Sequence, residues 1–148
     1  MERKDNKVCA EKCCLTLPLC NLNSPLERVT MEGIVEIKDS PIHGKGVFTV
    51  RDIQEGEVLA VCHVTLLHHN EQLPELIATL EFPWNEDYYA LCLSSVGSFF
   101  NHDKNFNAKV LEQNKEALTQ TFCTTRVIRK GEEVFIFYNA EFEKYVSG

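Results

Sequence analysis

A seven-residue pattern occurs twice in this chain, and each copy leads into a run of apolar residues. The segments 51–57 (RDIQEGE) and 126–132 (RVIRKGE) share the pattern R-x-I-x-x-G-E. Glycine at the sixth position permits the positive φ that a tight turn into a strand requires. Two short copies do not make a protein of stacked repeats. The pattern therefore predicts a fold that uses the same strand-turn-strand arrangement twice.

Apolar segments of strand length account for much of the remaining chain. Alternating or β-branched residues predict strands over 33–38, 46–50, 57–69, 108–113, 118–128 and 134–138. Residues 71–80 predict a short helix after Pro74, with its apolar residues on one face. We therefore predict a mainly β fold with short helices. Residues 1–30 form an N-terminal extension in this interpretation, and 31–148 form the folded domain.

The charge of the chain limits its partners. The 148 residues carry a formal net charge of −7, which argues against non-specific nucleic-acid binding, since that needs clustered Lys and Arg. Acidic side chains are concentrated in one stretch that has no Lys or Arg, namely Glu71, Glu75, Glu81, Glu86 and Asp87. This stretch is either an ordinary solvated face or a surface that attracts a basic partner such as a Lys-rich peptide.

Cysteine usage indicates a reducing compartment. The chain has 7 cysteines and no N-terminal segment typical of a signal peptide, because Glu11 and Lys12 interrupt its apolar part. No run approaches the roughly 18 apolar residues of a membrane span. We therefore expect an intracellular protein, cytoplasmic or nuclear, with no membrane partner.

No metal site is predicted. The cluster Cys9, Cys13, Cys14 and Cys20 has the spacing C-x3-C-C-x5-C, which fits none of the common zinc patterns. Free thiols are the favoured interpretation of this cluster, and metal binding is the alternative. The pair His68-His69 is interpreted as exposed polar residues, because adjacent residues on a strand point to opposite faces.

Three further motifs carry the candidate chemistry. In HGKGVF (43–48), Thr49 stands where a dinucleotide fingerprint needs its third glycine and a strand follows, so that kind of binding is excluded. The segment GSFFNHDKNFN (97–107) is either a polar loop that turns the chain or a site whose amide and imidazole groups bind a ligand. In GEEVFIFYN (131–139), bulky residues on both faces predict a strand buried on both sides. It ends in Tyr138, whose hydroxyl needs a partner or a ligand if it is buried.

The order and spacing of G-x-G-V-F, [FY]-N-H-x4-N and G-E-E-V-x-x-x-Y resemble the SET-domain family of protein lysine methyltransferases. The resemblance runs from about Gly33 to Phe142. It implies small β-sheets around a C-terminal pseudoknot, in which the Asn-His segment is threaded beneath the C-terminal segment. It also implies that S-adenosylmethionine binds on one face and that the target lysine enters through a channel from the opposite face.

The resemblance also implies site residues. The backbone of the Gly-x-Gly segment would approach the cofactor, Asn101 would hold its amino-acid part through the amide, and His102 would contact the adenine largely through its backbone. The cofactor-binding positions are Gly44, Lys45, Gly46, Phe100, Asn101, His102 and Tyr138. The channel positions are Ile136, Phe142 and Tyr145. Tyr138 would be the catalytic tyrosine, and Phe99 and Phe100 would anchor the segment in the core.

The implied activity is S-adenosylmethionine-dependent protein-lysine N-methylation, and a histone tail is the first candidate substrate because the chain is acidic. Ile136 lacks a hydroxyl, which predicts room for di- or trimethylation. The chain resembles minimal members that lack a cysteine-rich closing segment, for which a homodimer is one option. The family usually has Pro where this chain has Phe106, and Gly is frequent where it has Ser94-Ser95. These departures leave open a catalytically weak module that binds a basic peptide.

Overall fold

The computed structural model describes residues 33–93 and 95–139. Three predictions lie outside the described residues and stay predictions. They are the extension over 1–30, the cysteine cluster within it, and the channel positions Phe142 and Tyr145.

Short strands dominate the described part of the chain. The strands are β1 (Val35–Asp39), β2 (Lys45–Thr49), β3 (Val58–His63), β4 (Thr65–His68), β5 (Glu81–Pro83), β6 (Tyr88–Leu91), β7 (Asn101–His102), β8 (Ala108–Asn114), β9 (Thr119–Thr124) and β10 (Glu133–Ile136). They form three small sheets with the orders β1-β2-β10-β7, β3-β9-β8 and β4-β6-β5. The helix α1 (Glu75–Ala78) and a 3-10 turn (Val96–Ser98) complete the regular elements described. The predicted mainly β fold with short helices is confirmed.

The apolar run predicted as one strand over 57–69 is two strands of different sheets. β3 pairs with β9, whereas β4 pairs with β6. The chain changes sheets at Val64, which is buried and whose N–H donates to the carbonyl of Leu118 at 2.9 Å. Apolar residues continue without a turn residue on both sides of this point, so the sequence pattern does not mark the change. The prediction of a single strand was wrong.

The helix predicted over 71–80 is reduced to the single turn α1. No residue of α1 is buried, and Leu76 is 75% exposed. A short helix is stabilised mainly by packing of an apolar face, and α1 has no such packing to extend it. No helix that the structure describes is long and apolar enough to cross a membrane.

The two copies of R-x-I-x-x-G-E lie against each other. Ile53 and Ile128 are both fully buried and form an antiparallel bridge, with N–H to carbonyl distances of 2.8 and 3.0 Å. Gly56 and Gly131 have φ values of +77° and +84°, as the turn interpretation requires. The repeated pattern thus builds one paired structural unit from two distant segments.

Aromatic packing joins the sheets. The ring of Phe122 on β9 lies 4.8 Å from that of Phe100 and 5.5 Å from that of Phe82, measured between centroids. Phe100 and Phe122 are almost fully buried. Because Phe100 directly precedes β7, this cluster holds the start of β7 against the core.

Candidate active site

Strand β10 brings the three sequence motifs to one place. Its residue Val134 pairs with Val47 of β2 in antiparallel register. On its other side, Phe135 pairs with Asn101 of β7 in parallel register. β10 therefore lies between the strand that follows the Gly-x-Gly segment and the Asn-His dipeptide. Tyr138 follows shortly after the end of β10.

The Gly-x-Gly segment ends a tight turn, here called the 40–45 turn. The N–H of Ser40 donates to the carbonyl of Gly44 at 2.8 Å, and the hydroxyl of Ser40 accepts from the N–H of Ile42 at 3.0 Å. Gly44 has a φ of +49°, a left-handed conformation that glycine adopts without Cβ strain. The turn leads into β2, and carbonyl groups of the turn can accept hydrogen bonds from neighbouring donors.

Asn101 ties β7 to the 40–45 turn. Its amide nitrogen Nδ2 donates to the carbonyls of His43 and Lys45, each at 3.2 Å. It also donates to Oε1 of Glu133 at 2.7 Å. The two hydrogens of this amide are thus directed at protein acceptors, and they hold the turn in place. Direct contact between Asn101 and a cofactor stays a prediction.

The carboxylate of Glu133 lies behind the same turn. Glu133 is 8% exposed, and its Oε2 accepts from the hydroxyl of Ser40 at 2.9 Å. A Cβ atom added to Gly46 would lie 2.1 Å from Oε1 of Glu133. The second glycine of the Gly-x-Gly segment therefore leaves the space that this carboxylate occupies.

Asn107 fastens the segment 97–107 to β10. Its Nδ2 donates to the carbonyl of Glu133 at 2.9 Å, and its Oδ1 accepts from the N–H of Phe135 at 2.8 Å. The backbone N–H of Asn107 donates to the carbonyl of Phe135 at 3.1 Å. The last Asn of the N-H-x4-N motif therefore continues, through its side chain, the pairing that β7 begins.

His102 and Tyr138 form the other end of the site. The N–H of Tyr138 donates to Nδ1 of His102 at 3.0 Å, and the two rings lie 5.4 Å apart between centroids. The hydroxyl of Tyr138 donates to the carbonyl of Phe100 at 2.6 Å. Burial raises the pKa of the Tyr138 phenol above its ordinary value. The phenol is therefore neutral near pH 7.

A small pocket opens beside Tyr138. It is lined by Thr79, Leu80, Glu81, Phe82, Pro83, Gly97, Ser98, Phe100 and Tyr138. The lining residues thus come from β5, from the segment 97–107 and from Tyr138 after β10. It is largely apolar, with a carboxyl group, hydroxyl groups and the phenol among it, a combination common in ligand pockets.

Residues 44–139 match the family model of the SET domain, and this range contains all three motifs. The chain belongs to the SET-domain family. Members of this family are generally protein-lysine methyltransferases. The resemblance drawn from the three motifs is thereby confirmed at the level of the family. No curated protein matches the chain.

The fold of this SET-domain protein is also found among solved structures. A similar one is the crystal structure of a Plasmodium falciparum protein described as a candidate histone methyltransferase, with a TM-score of 0.63 and 23% sequence identity. The match covers 74% of this chain and 96% of that chain. The likeness shows a shared fold, and the predicted SET-domain fold is confirmed.

The structure brings together the predicted site residues that it describes. The 40–45 turn lies against Asn101, Gly46 lies against Glu133, and His102 lies against Tyr138. Ile136 pairs with His102 across β10 and β7 and is 3% exposed. The roles assigned to these residues stay predictions.

Two phenylalanines differ from expectation. Phe99, expected in the core beside Phe100, is 37% exposed, and Phe137, expected in a strand buried on both faces, is 41% exposed. Phe99 directly follows the 3-10 turn, and Phe137 lies beyond the end of β10. The ring of Phe137 lies 5.1 Å from that of His102, so it covers part of the site from outside.

The sequence interpretation did not include Glu133 or Ser40 among the site residues. One signal for Glu133 is available in the repeated pattern, because Val58 follows the first copy where Glu133 follows the second. A charged residue at a strand position that is apolar in the matching copy indicates a special partner. No comparable signal marks Ser40.

Among residues 33–93 and 95–139, no three His, Cys, Asp or Glu side chains gather as a metal site. His68 packs edge-on against Tyr88, and His69 lies 4.1 Å from Tyr89 between ring centroids. The cysteines described here, Cys62, Cys92 and Cys123, are buried and unpaired by disulfides.

Proposed function

We propose that this SET-domain protein is an S-adenosylmethionine-dependent protein-lysine N-methyltransferase. The observation that carries the proposal is the position of β10, which joins the Gly-x-Gly turn, the Asn-His dipeptide and Tyr138 in one site. Segments far apart in the chain meet there in the order that the family motif implies. A pocket also lies beside Tyr138, which motifs with a purely structural role would not require.

The residues of the site suit a cationic cofactor. The carbonyls of His43 and Lys45 and the carboxylate of Glu133 concentrate negative partial and full charge at the 40–45 turn. The only ammonium on this turn, that of Lys45, is bound by Asp39 at 2.5 Å. The positions proposed to hold the cofactor are Gly44, Lys45, Gly46, Phe100, Asn101, His102 and Tyr138. When bound, S-adenosylmethionine supplies a methyl group attached to a positively charged sulfur.

Tyr138 is the proposed catalytic residue. Its phenol stays protonated because burial raises its pKa, so it acts as a hydrogen-bonding group and not as a base. Its hydroxyl is held by the carbonyl of Phe100 at 2.6 Å, beside the pocket. A hydroxyl fixed in this way can orient the lone pair of an incoming amine, which is a positioning effect.

The substrate amine must lose its proton before it can accept a methyl group. A free lysine has a pKa near ~10.4 and is mostly protonated at neutral pH. The apolar lining of the pocket, from Phe82, Pro83 and Phe100, disfavours the ammonium form and lowers that pKa. The chain thus needs no dedicated general base for the reaction.

The proposed substrate is a lysine in a basic protein segment, with a histone tail as the first candidate. Glu81 lines the pocket, and Glu75, Glu86 and Asp87 are exposed in or next to the sheet β4-β6-β5. This acidic surface, here called the third-sheet acidic face, shares Glu81 with the lining of the pocket. Its charge would attract Lys- and Arg-rich peptides.

Three finer assignments belong to the same proposal. Ile136, Phe142 and Tyr145 are proposed to line the substrate channel, and the lack of a hydroxyl on Ile136 favours di- or trimethylation. Mass spectrometry of a peptide after prolonged reaction tests this, and a product that stays monomethylated would refute it. A homodimer is tested by sedimentation velocity.

Methyl transfer to a histone mixture tests the function directly. Tritium from S-adenosylmethionine labelled in the methyl group is expected to enter histone lysines with the unmodified protein. Tyr138→Phe should lower kcat by roughly 100-fold, because the amine loses its orienting hydroxyl. Tyr88→Phe is the matched control, since Tyr88 is an exposed tyrosine on β6 and should have no effect.

The outcomes separate the alternatives. Equal incorporation by Tyr138→Phe and the unmodified protein would remove Tyr138 from the mechanism. Absence of incorporation into histones and into a whole lysate, together with binding of a basic peptide, would favour the module that binds without turnover.

A further inference from the structure

Glu133 is a buried carboxylate behind the turn that is proposed to hold the cofactor. Such groups are rarely buried unless they are paired or fully hydrogen-bonded. Among the residues that the structure describes, no Lys, Arg or His forms an ion pair with Glu133, whose carboxylate accepts from the neutral groups Ser40 and Asn101. A charge kept in this position at a cost in solvation indicates a specific task.

The two carboxylate oxygens hold opposite sides of the 40–45 turn. Oε2 accepts from the hydroxyl of Ser40, which itself accepts from the N–H of Ile42 and so begins the turn. Oε1 accepts from Asn101, whose amide also binds the carbonyls of His43 and Lys45 near the end of the turn. Hydrogen bonds to an ionised acceptor are stronger than neutral ones. One carboxylate therefore fixes both ends of the turn relative to β7.

Gly46 is needed because of this carboxylate. A Cβ atom there would lie 2.1 Å from Oε1 and 2.8 Å from Cδ of Glu133, so the carboxylate would have to move from its position against Ser40 and Asn101. Unlike Gly44, Gly46 does not have a positive φ. Glycine is therefore required at the two positions for different reasons. Gly44 adopts a left-handed backbone conformation, whereas Gly46 leaves space for the side chain of Glu133.

We infer that Glu133 is a positioning residue for the cofactor: it holds the 40–45 turn in its binding shape, and Gly46 makes room for it. The inference rests on the proposed function, because the turn is assigned to the cofactor there. Glu133 acts through the turn and through Asn101. It therefore sets the affinity for the cofactor and leaves the reacting groups at Tyr138 unchanged.

Binding of S-adenosylhomocysteine, measured by calorimetry, provides the first test. In Glu133→Gln the bonds to Ser40 and Asn101 lose their ionised acceptor, and Kd should rise roughly tenfold. The KM for S-adenosylmethionine should rise by a similar factor, while kcat at saturation and the KM for the peptide stay within about twofold. Glu36→Gln, an exposed position on β1 of the same sheet, is the matched control and should bind normally.

A double-mutant cycle provides a test that does not depend on the cofactor. Gly46→Ala alone should lower the urea midpoint of unfolding strongly. In the Glu133→Ala background it should lower the midpoint only slightly, because the Glu133 side chain no longer occupies the space of the added Cβ. Equal effects in both backgrounds would overturn the steric link. If Gly46 instead serves a ligand directly, Gly46→Ala would abolish binding without this coupling.

The experiments distinguish a failure of the proposed function from a failure of the positioning role of Glu133. If the unmodified protein neither binds S-adenosylhomocysteine nor transfers a methyl group, the proposed function is wrong, and the unfolding cycle still decides the Glu133–Gly46 link. If the unmodified protein binds and Glu133→Gln binds within twofold of it, the positioning role is wrong while the function stands. Parallel losses in kcat, peptide KM and thermal stability would also overturn it, since they indicate general structural damage.

Discussion

Asn107 shows how one side chain can take the place of a strand residue. It is 1% exposed, and its amide both donates to the carbonyl of Glu133 and accepts from the N–H of Phe135. Those two backbone groups belong to the start of β10, where β7 is only beginning, since Phe135 pairs with Asn101, the first residue of β7. Without the Asn107 amide they would be buried and unpaired, which costs free energy for each group.

Asn107→Leu should therefore destabilise the fold. It leaves two buried backbone groups without partners, and we expect the free energy of unfolding to fall by about 2–4 kcal/mol. Urea unfolding followed by tryptophan fluorescence measures this, since the chain has a single tryptophan, Trp84, which is buried. Asn105→Leu, an exposed position in the same loop, should change stability little. An unchanged midpoint for Asn107→Leu would contradict the interpretation.

At the scale of elements, the two copies of R-x-I-x-x-G-E act as a clasp between distant parts of the chain. The Ile53–Ile128 bridge lies in the core, and Asp52 of the first copy binds the second copy twice. It accepts from Nη1 of Arg129 at 2.9 Å and from the N–H of Lys130 at 2.8 Å. The second copy leads directly into β10, so the clasp positions the strand that organises the site.

The glycine turns of the clasp should tolerate no side chain without strain. Gly131→Ala and Gly56→Ala place an L-residue at φ values of +84° and +77°, with no neighbouring atom within 4 Å to clash. The cost is then conformational, and each should lower the free energy of unfolding by about 1–2 kcal/mol. Lys130→Ala, in the same turn, is the control. Stability equal to that of the unmodified protein would refute the strain argument.

The clasp should also contribute to acid sensitivity. The hydrogen bond from the N–H of Lys130, and after it that from Arg129, lowers the pKa of Asp52 in the folded protein. A lowered folded-state pKa stabilises the fold above the unfolded value of about 3.9, and this stabilisation is lost as the pH falls through the lower folded value.

Asp52→Asn tests this sign. It should lower the urea midpoint at pH 7, and its difference from the unmodified protein should shrink as the pH falls below about 4. Glu55→Gln, an exposed carboxyl in the same turn, serves as the control. A difference that grows toward low pH would be opposite to expectation.

At the scale of the whole molecule, charge and shape work together. The formal charge of −7 is unevenly spread, because the third-sheet acidic face carries Glu75, Glu81, Glu86 and Asp87 without a Lys or Arg among them. The pocket beside Tyr138 is bordered by β5 of that sheet. A basic segment drawn to this face would therefore arrive next to the proposed catalytic tyrosine.

Neutralising the acidic face should weaken the use of basic peptides. The double variant Glu86→Gln with Asp87→Asn should raise the KM for a Lys-rich peptide several-fold at low salt, with the KM for S-adenosylmethionine unchanged. The effect should fade above about 0.1 M salt, where the screening length is roughly 10 Å. Glu116→Gln, an exposed acid in the turn between β8 and β9, is the control. An effect that persists at high salt would argue against long-range attraction.

Local patterns in the sequence were sufficient for the class of fold, the family and the turns. Alternation identified most strands, the glycines of the repeated pattern marked two positive-φ turns, and three ordered motifs identified the family. These features depend on a few neighbouring residues each, which is why they can be read along the chain. Motif positions also supplied the predicted site residues, whose roles stay predictions, but they did not indicate Glu133 or Ser40.

The tertiary structure alone decided which segments meet. The change of sheet at Val64, the exposure of Phe99 and Phe137, and the contact between Gly46 and Glu133 depend on pairings between residues far apart in the chain. Local propensity is the same for an apolar residue that faces the core and for one that faces solvent, so only the pairing of distant segments distinguishes them. At the site, this pairing is the register of β10 between β2 and β7. That register is also what turns three common motifs into one site.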